Sequence, residues 1–285
     1  MVTASILSTV LLALSTQART AQFPGGMSRG IQDTTEVIVV GTVHGDHAVN
    51  DAYSAETLRD IVVALQPAAI LIELPPTING RPTVVNGRRA AWLAGANEGW
   101  AENAAADALG VPVAPFDREG RNEYYVRTNY FARRDSASAR LASLAAHLRA
   151  ENAAALVPLL LDVYHDINRS QQLLHRTAPP EVINSAAFDE LIQAKRRMDQ
   201  DVVLHLDTRP DLVDEYRFLR TEWLERNDIM ARNIRRIAAE YRGARLVVLT
   251  GSEHRYLLRR LLAEAEGIVV REYWEVVPDA TPQRR

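Results

Sequence analysis

The chain has 285 residues, with 36 acidic and 33 basic side chains, a formal net charge of −3, 47% hydrophobic and 24% charged residues. These are the proportions of a globular protein long enough to bury a full core, and the absence of a basic excess argues against nucleic acid as a partner. There is no cysteine, which excludes disulfides, thiolate zinc sites, iron–sulfur clusters, cysteine nucleophiles and lipid attachment through sulfur.

In chain order, the first feature is an apolar stretch from Ile6 to Leu14 followed by small residues. It has the length of a signal-peptide core and is too short for a membrane span. Residues 1–21 are therefore expected to be a signal peptide, cut after Ala18 or Ala21, and the protein to be periplasmic or secreted. A positive start to that leader is missing, since the first basic residue is Arg19; with Met27 as the true start the protein is cytoplasmic. No other apolar run approaches the ~20 residues of a transmembrane helix, so no stable membrane insertion is expected.

Residues 36–42 read as a buried parallel strand, continuous in apolar and β-branched side chains and ending in Gly41-Thr42-Val43-His44. Ser54 has the character of a helix N-cap, with Tyr53 and Leu58 at the positions of a hydrophobic staple. Leu58, Ile61, Val62 and Leu65 form one apolar face, and Gln66-Pro67 ends the helix. A second strand, Ile70-Leu71-Ile72, ends in Glu73, so this segment is a βαβ unit with a right-handed crossover. Pro75 to Arg89 reads as loop and Arg89 to Leu109 as helix. Val111 to Phe116 is a third strand with Asp117 at its end, where a turn cap and a site residue are equally good readings.

From Arg133 to Tyr241 the pattern is helical, with stripes at Leu141-Leu144-Leu148 and Leu160-Val163-Tyr164-Ile167 and a break at Thr177–Pro180. His147, His165, His175 and His205 share no metal-ligand spacing and read as surface or core histidines. In the last long helix Tyr216, Leu219, Trp223, Met230, Ile234, Ile237 and Tyr241 form an apolar stripe interrupted at Glu225-Arg226-Asn227. A guanidinium facing the core there needs a carboxylate or a bound anion. After Gly243 comes strand Leu246–Thr250, then Gly251-Ser252-Glu253-His254 and a helix with Leu258, Leu261, Leu262 and Ala265 inward and Gly267 as its C′ residue. Ile268 to Val276 reads as a final strand, and 279–285 as a frayed tail.

Three strand ends thus deliver His44, Glu73 and His254 to the edge of an α/β sheet where ligands bind. Two histidines and a carboxylate match the ligand set of an open metal site, in which a bound water becomes the nucleophile. Without metal the same residues still make a hydrolytic site, with His44 or Glu73 as general base and His254 as acid or substrate contact. Arg226 would then hold a substrate carboxylate or a developing oxyanion. A Glu buried between Ile72 and Leu74 needs a cation beside it.

These residues carry a resemblance. The chain resembles the TraB/TIKI group of the wider erythromycin esterase and ChaN-like superfamily in G-T-V-H at 41–44, Glu73 closing P-x-x-I-L-I-E, Asp117-Arg118, E-R-N-x-x-M at 225–230 and G-S-E-H at 251–254. The pieces come in the family order across residues 37–275. The second histidine motif departs from the Gly-Ala-Gly-His-Leu common in that group, since Arg255-Tyr256 follows here, and this bears on substrate contacts rather than on the histidine.

The resemblance implies an α/β fold with a mixed, mostly parallel sheet, flanking helices and a large helical insertion. That gives one domain over 30–278 with the insert at roughly 133–210; because the segments flanking it both return to the strand ends, the insert is expected to roof them. For TIKI-like members it implies a metal-dependent peptidase, and the expectation here is a divalent metal (Mn, Co or Zn) on His44, Glu73 and His254. For esterase-like members it implies metal-independent hydrolysis, and for ChaN-like members haem or ligand binding without turnover. The expected site is His44, Glu73, Arg226 and His254, with Asp117 and Asn227 second, acting on a peptide or a small ester or amide.

Overall fold

The computed structural model describes residues 33–93, 95, 97–151, 156–198 and 210–276. The expected leader at 1–21, His205 and the tail at 279–285 lie outside the described residues.

Strand β1 (Thr35–Thr42) is buried at all but one position, as a strand covered on both faces must be. Ser54 accepts the Thr57 N–H at 3.3 Å and caps α1 (Ala55–Leu65). Tyr53 and Leu58, the expected staple, are both fully buried. Gln66 enters the left-handed region at φ 49° and stops the helix before Pro67. Strand β2 (Ala69–Ile72) follows at once.

The segment from Pro75 to Arg89 is more ordered than a plain loop. It folds into two antiparallel hairpins, β3 (Thr77–Ile78) with β4 (Arg81–Pro82) and β5 (Val84–Val85) with β6 (Arg88–Arg89). Each turns on an Asn-Gly pair, Asn79-Gly80 and Asn86-Gly87, with all four residues at positive φ. That is the conformation of a tight hairpin turn, which Asn and Gly tolerate best. The next helix begins later than its composition suggests: a short turn at Ala91–Leu93 comes first, and α2 spans Glu98–Leu109. Asn97, at φ 73°, breaks the helical path just before it.

Strand β7 (Val113–Pro115) is followed by the helical region: α3 (Arg121–Arg127), α4 (Tyr130–Ala150), α5 (Leu156–Thr177), α6 (Pro180–Ile183) and α7 (Ala186–Arg197). The break at Thr177–Pro180 falls where the prolines demand it. On α5 the inward face is rotated from the expected stripe, with Leu161 buried and Val163 exposed. Helix α8 (Pro210–Ala238) has 29 residues and so is about 43 Å long at 1.5 Å per residue. Then come β8 (Arg245–Gly251), α9 (Ser252–Ala263), β9 (Ile268–Arg271) and α10 (Tyr273–Val276). The last strand is therefore shorter than expected, and Gly267 sits in the turn into β9 rather than capping α9, whose C-cap is Glu264.

The five long strands order as β7-β2-β8-β1-β9, and every pairing is parallel, so the sheet is not mixed. Alternation along the strands builds two cores. Ile38, Val40, Ile70, Ile72, Val247 and Leu249 pack against α1 and α2. Val37, Val39, Leu71, Leu246 and Val248 pack against Met230, Ile234 and Ile237 of α8 and Leu258 and Leu262 of α9. A third cluster joins α4 and α5 to Leu212, Tyr216 and Leu219 of α8. One half of α8 thus covers the sheet and the other half carries the helical region. No helix among the described residues is long and apolar enough to cross a membrane.

Candidate active site

The register of the central strands sets the geometry. Gly41 pairs with Thr250 and Thr42 with Gly251 on neighbouring parallel strands, and Ile72 pairs with Leu249, so Glu73 emerges level with Thr250. Glu73 Oε2 accepts from Thr250 Oγ1 at 2.7 Å and from the Gly251 N–H at 2.8 Å. Its Oε1 accepts from Arg226 Nη2 at 2.5 Å. Burial alone would raise the carboxyl pKa, but the neighbouring His254 and the Arg226 charge hold it well below the usual carboxylate range.

Arg226 is the hub. Its Nε and Nη2 donate to the two oxygens of Asp117 at 3.1 and 2.8 Å, and its Nη1 donates to His254 Nε2 at 3.1 Å. Asp117, at the end of β7, is fully buried and also accepts from Arg121 and from the Arg118 N–H. The guanidinium expected to face the core does so, and its partners are the two strand-end carboxylates. It remains charged, because Glu73 and Asp117 together outweigh the desolvation.

A guanidinium can only donate, so His254 Nε2 is the acceptor and Nδ1 carries the hydrogen. Nδ1 then donates to Asn227 Oδ1 at 2.9 Å. Asn227 is fixed in that orientation because its Nδ2 donates to the Trp223 carbonyl at 2.7 Å, one turn back on α8. Trp223 stacks on the imidazole with ring centres 4.3 Å apart. His254 is therefore neutral, its pKa lowered to about 4 by burial, with the Glu73 charge opposing the shift.

His44 is placed differently. It lies just past β1 in the left-handed region, φ 49°, an uncommon conformation for a side chain of this size. Its Nδ1 bonds Glu98 Oε2 at 2.9 Å, and Glu98 Oε1 accepts from Thr42 Oγ1 at 2.7 Å. The far edge of the ring, Nε2, rests over Gly251, where any β-carbon would collide with it. Gly251 thus serves two site residues, with its N–H on Glu73 and its α-carbon under His44. The His44 side chain is 59% exposed. Desolvation lowers its pKa, but the Glu98 carboxylate, with help from Glu73, outweighs that and pushes it up to about 9.

All six expected site residues meet at this edge: His44, Glu73, Asp117, Arg226, Asn227 and His254. Sequence reasoning missed Glu98, because the pattern placed it inside a helix instead of at its start, and it missed the Thr42 and Thr250 hydroxyls. His47, three residues past His44, is structural: it accepts the Val43 N–H and donates to the Tyr53 carbonyl. His175, read as an ordinary histidine, bonds Ser252 Oγ at 2.8 Å beside the site.

The donor set tests the expected metal. Both oxygens of Glu73 and the acceptor nitrogen of His254 already accept hydrogen bonds, and the cation between them is Arg226. His44 Nδ1 is turned away to Glu98. In this arrangement an ion on His44, Glu73 and His254 does not fit unless Arg226 leaves. Among the described residues no group of three or more His, Asp or Glu side chains is placed to hold a metal ion.

Two cavities open onto these residues. The larger, about 1240 Å³, is lined by His44, Glu73 and Arg226 together with residues of α3, α4, α5, α7 and α8. The smaller, about 550 Å³, shares His44, Glu73 and Arg226 and extends under α5 past His175 and Ser252. The helical region therefore does roof the strand ends. Glu253 of the G-S-E-H motif fastens that roof. It accepts from Gln171 of α5 at 2.7 Å, from Lys195 of α7 at 2.9 Å and from Arg196.

The chain matches no protein-family model, no curated protein and no solved structure.

Proposed function

We propose that the protein is a hydrolase of small esters or amides, peptides included, and that it works without a metal ion. The observation that carries this reading is the His44–Glu98 pair: an exposed imidazole at a cavity floor, oriented through Nδ1 by a carboxylate that is itself held by Thr42. A carboxylate-oriented imidazole is the arrangement of a general base; its Nε2, which lies against Gly251, meets water once the exposed ring turns out into the cavity.

The residues then divide the work. Nε2 of neutral His44 takes a proton from water as the oxygen bonds to the substrate carbonyl carbon. Of the five N–H groups of Arg226, four are spent on Asp117, Glu73 and His254. The fifth, the second hydrogen on Nη1, has no partner among the described residues and is available to the developing oxyanion. As the bond to the leaving group breaks, protonated His44 returns the proton to it. Glu73, Asp117, Asn227 and His254 do not touch the reacting atoms in this scheme; they hold Arg226 in place and keep it charged.

Within the resemblance, this reading corresponds to the metal-independent erythromycin-esterase-like relatives of the wider superfamily. The TIKI-like alternative, a metallopeptidase with a divalent ion on His44, Glu73 and His254, requires Arg226 to withdraw from Glu73 and His254. The test is hydrolysis of a panel of simple esters and anilides by the wild type and by His44→Ala. A loss of about 100-fold or more in the variant, with an unchanged circular dichroism spectrum, is expected. Turnover surviving in His44→Ala would end the proposal.

A further inference from the structure

The wall of the larger cavity is aromatic. Tyr125 of α3 and Tyr130 of α4 stack with ring centres 4.4 Å apart and planes 16° from parallel. Phe131 stands edge-on to both, at 5.3 and 5.4 Å. All three rings line the cavity whose floor holds His44, Glu73 and Arg226. Rings fixed against one another in this way lose little freedom when a ligand arrives, so the wall is preorganised.

The wall is also incompletely covered. Phe131 is 52% exposed and Val126, on the same rim, is 82% exposed. The Arg134 guanidinium lies over one face of the Phe131 ring, 5.2 Å from its centre. An aromatic cluster that served only packing would turn its rings inward. Here the free surface opens into the cavity that contains the candidate hydrolytic residues. A cavity of about 1240 Å³ also exceeds what acetyl or similarly small groups fill, since pockets of about 300–1,000 Å³ accept drug-sized ligands.

We infer that the substrate is an ester or amide bearing a flat aromatic ring, which stacks on Phe131 and the Tyr125–Tyr130 pair while its carbonyl lies at His44 and Arg226. The inference rests on the hydrolase reading for the scissile bond, but the ring-binding wall is a separate structural feature. Aromatic pairs contribute about 0.5–1.5 kcal/mol beyond burial of area, which converts to a preference of about two- to tenfold for a ring over an alkyl chain of similar size.

Two measurements test it and fail independently of each other. The first compares kcat/KM for benzyl butyrate and butyl butyrate, whose leaving alcohols have similar acidity, in the wild type, Phe131→Ala and Phe131→Leu. The second reads binding by saturation-transfer NMR of N-benzylacetamide and N-butylacetamide to the unreactive His44→Ala protein, with and without Phe131→Leu.

The expected result is a benzyl preference in both measurements that Phe131→Leu abolishes, the benzyl compounds losing more than the alkyl ones. Because Phe131 is half exposed, both substitutions should leave the fold intact. Equal handling of benzyl and butyl compounds, or indifference to Phe131, overturns the inference even if hydrolysis is confirmed. Selective, Phe131-dependent binding without turnover of any ester supports the ring site and overturns the hydrolase reading instead.

Discussion

Arg226 and Glu73 meet end to end: Nη2 of the guanidinium donates to Oε1 of the carboxylate at 2.5 Å, joining the long helix α8 to the end of strand β2. Asp117 and His254 complete the ring around that guanidinium. Removing the cation leaves two buried carboxylates facing each other. Arg226→Ala is expected to destabilise the protein by about 3–5 kcal/mol, the cost of an uncompensated buried charge. Arg226→Lys keeps the charge but cannot reproduce the fork, so it should fold better than the alanine variant yet lose about 100-fold in turnover. Thermal melts and ester assays on the two variants check the split. Equal stability of all three proteins would mean that the cluster is not the hub described.

The pairing of His44 with Glu98 predicts a pH profile. A general base acts when neutral, and with its pKa pushed up to about 9 His44 is mostly protonated at neutral pH. The rate should therefore rise with pH, reach its midpoint near 9 and level off above it. Glu98→Gln removes the negative partner, so the midpoint should fall towards the ordinary value of 6.5, with a lower plateau because the ring is less well oriented. The same raised pKa makes a contribution to stability that is complete below pH 6.5 and is lost as pH rises through about 9. A profile whose midpoint does not move in Glu98→Gln would disconnect the two residues.

His254 titrates in the opposite sense. Its folded pKa of about 4 lies below the unfolded value of 6.5, so the folded protein binds fewer protons between those limits. Stability should be greatest above 6.5 and fall as the solution is acidified towards 4, by about 3 kcal/mol from this residue. The depressed pKa of Glu73 adds to the loss at still lower pH. Urea unfolding between pH 7 and 4 should show a shallower slope in His254→Gln than in the wild type. Parallel slopes would remove His254 from the acid transition.

Gly251→Ala separates activity from folding. The added β-carbon meets the His44 ring, whose side chain is largely exposed and free to swing aside. The variant should melt close to the wild type and lose up to about 100-fold in rate through misplacement of the imidazole. A fully active Gly251→Ala would show that His44 need not sit where the structure has it.

Much of this arrangement was legible in the sequence because it follows from periodicity. The apolar strands, the amphipathic face of α1 and the polar interruption at Arg226-Asn227 are patterns that burial imposes directly, and they brought six residues to one edge. What escaped depended on local turns and on partners distant in the chain. The two Asn-Gly hairpins were hidden in a segment read as loop, and the sheet's fully parallel character rests on pairings between strands far apart in the chain. Glu98 looked like a mid-helix residue because the alanine-rich segment reads as helical from Arg89 onward; only the left-handed Asn97 places it in the first turn, within reach of His44. The expected metal site had the right residue types, and no spacing rule reveals that Arg226 would sit among them as their cation.

The central claim is a water-activating histidine that needs no metal, and chelation tests it most directly. Protein purified without chelator would be assayed for ester hydrolysis before and after exhaustive treatment with EDTA, with metal content measured by elemental mass spectrometry on the wild type and His44→Ala. The account predicts an unchanged rate after chelation and loss of activity in His44→Ala. Activity that disappears on chelation and returns with manganese, cobalt or zinc, together with near-stoichiometric metal that is missing from His44→Ala, would contradict it and make His44 a ligand.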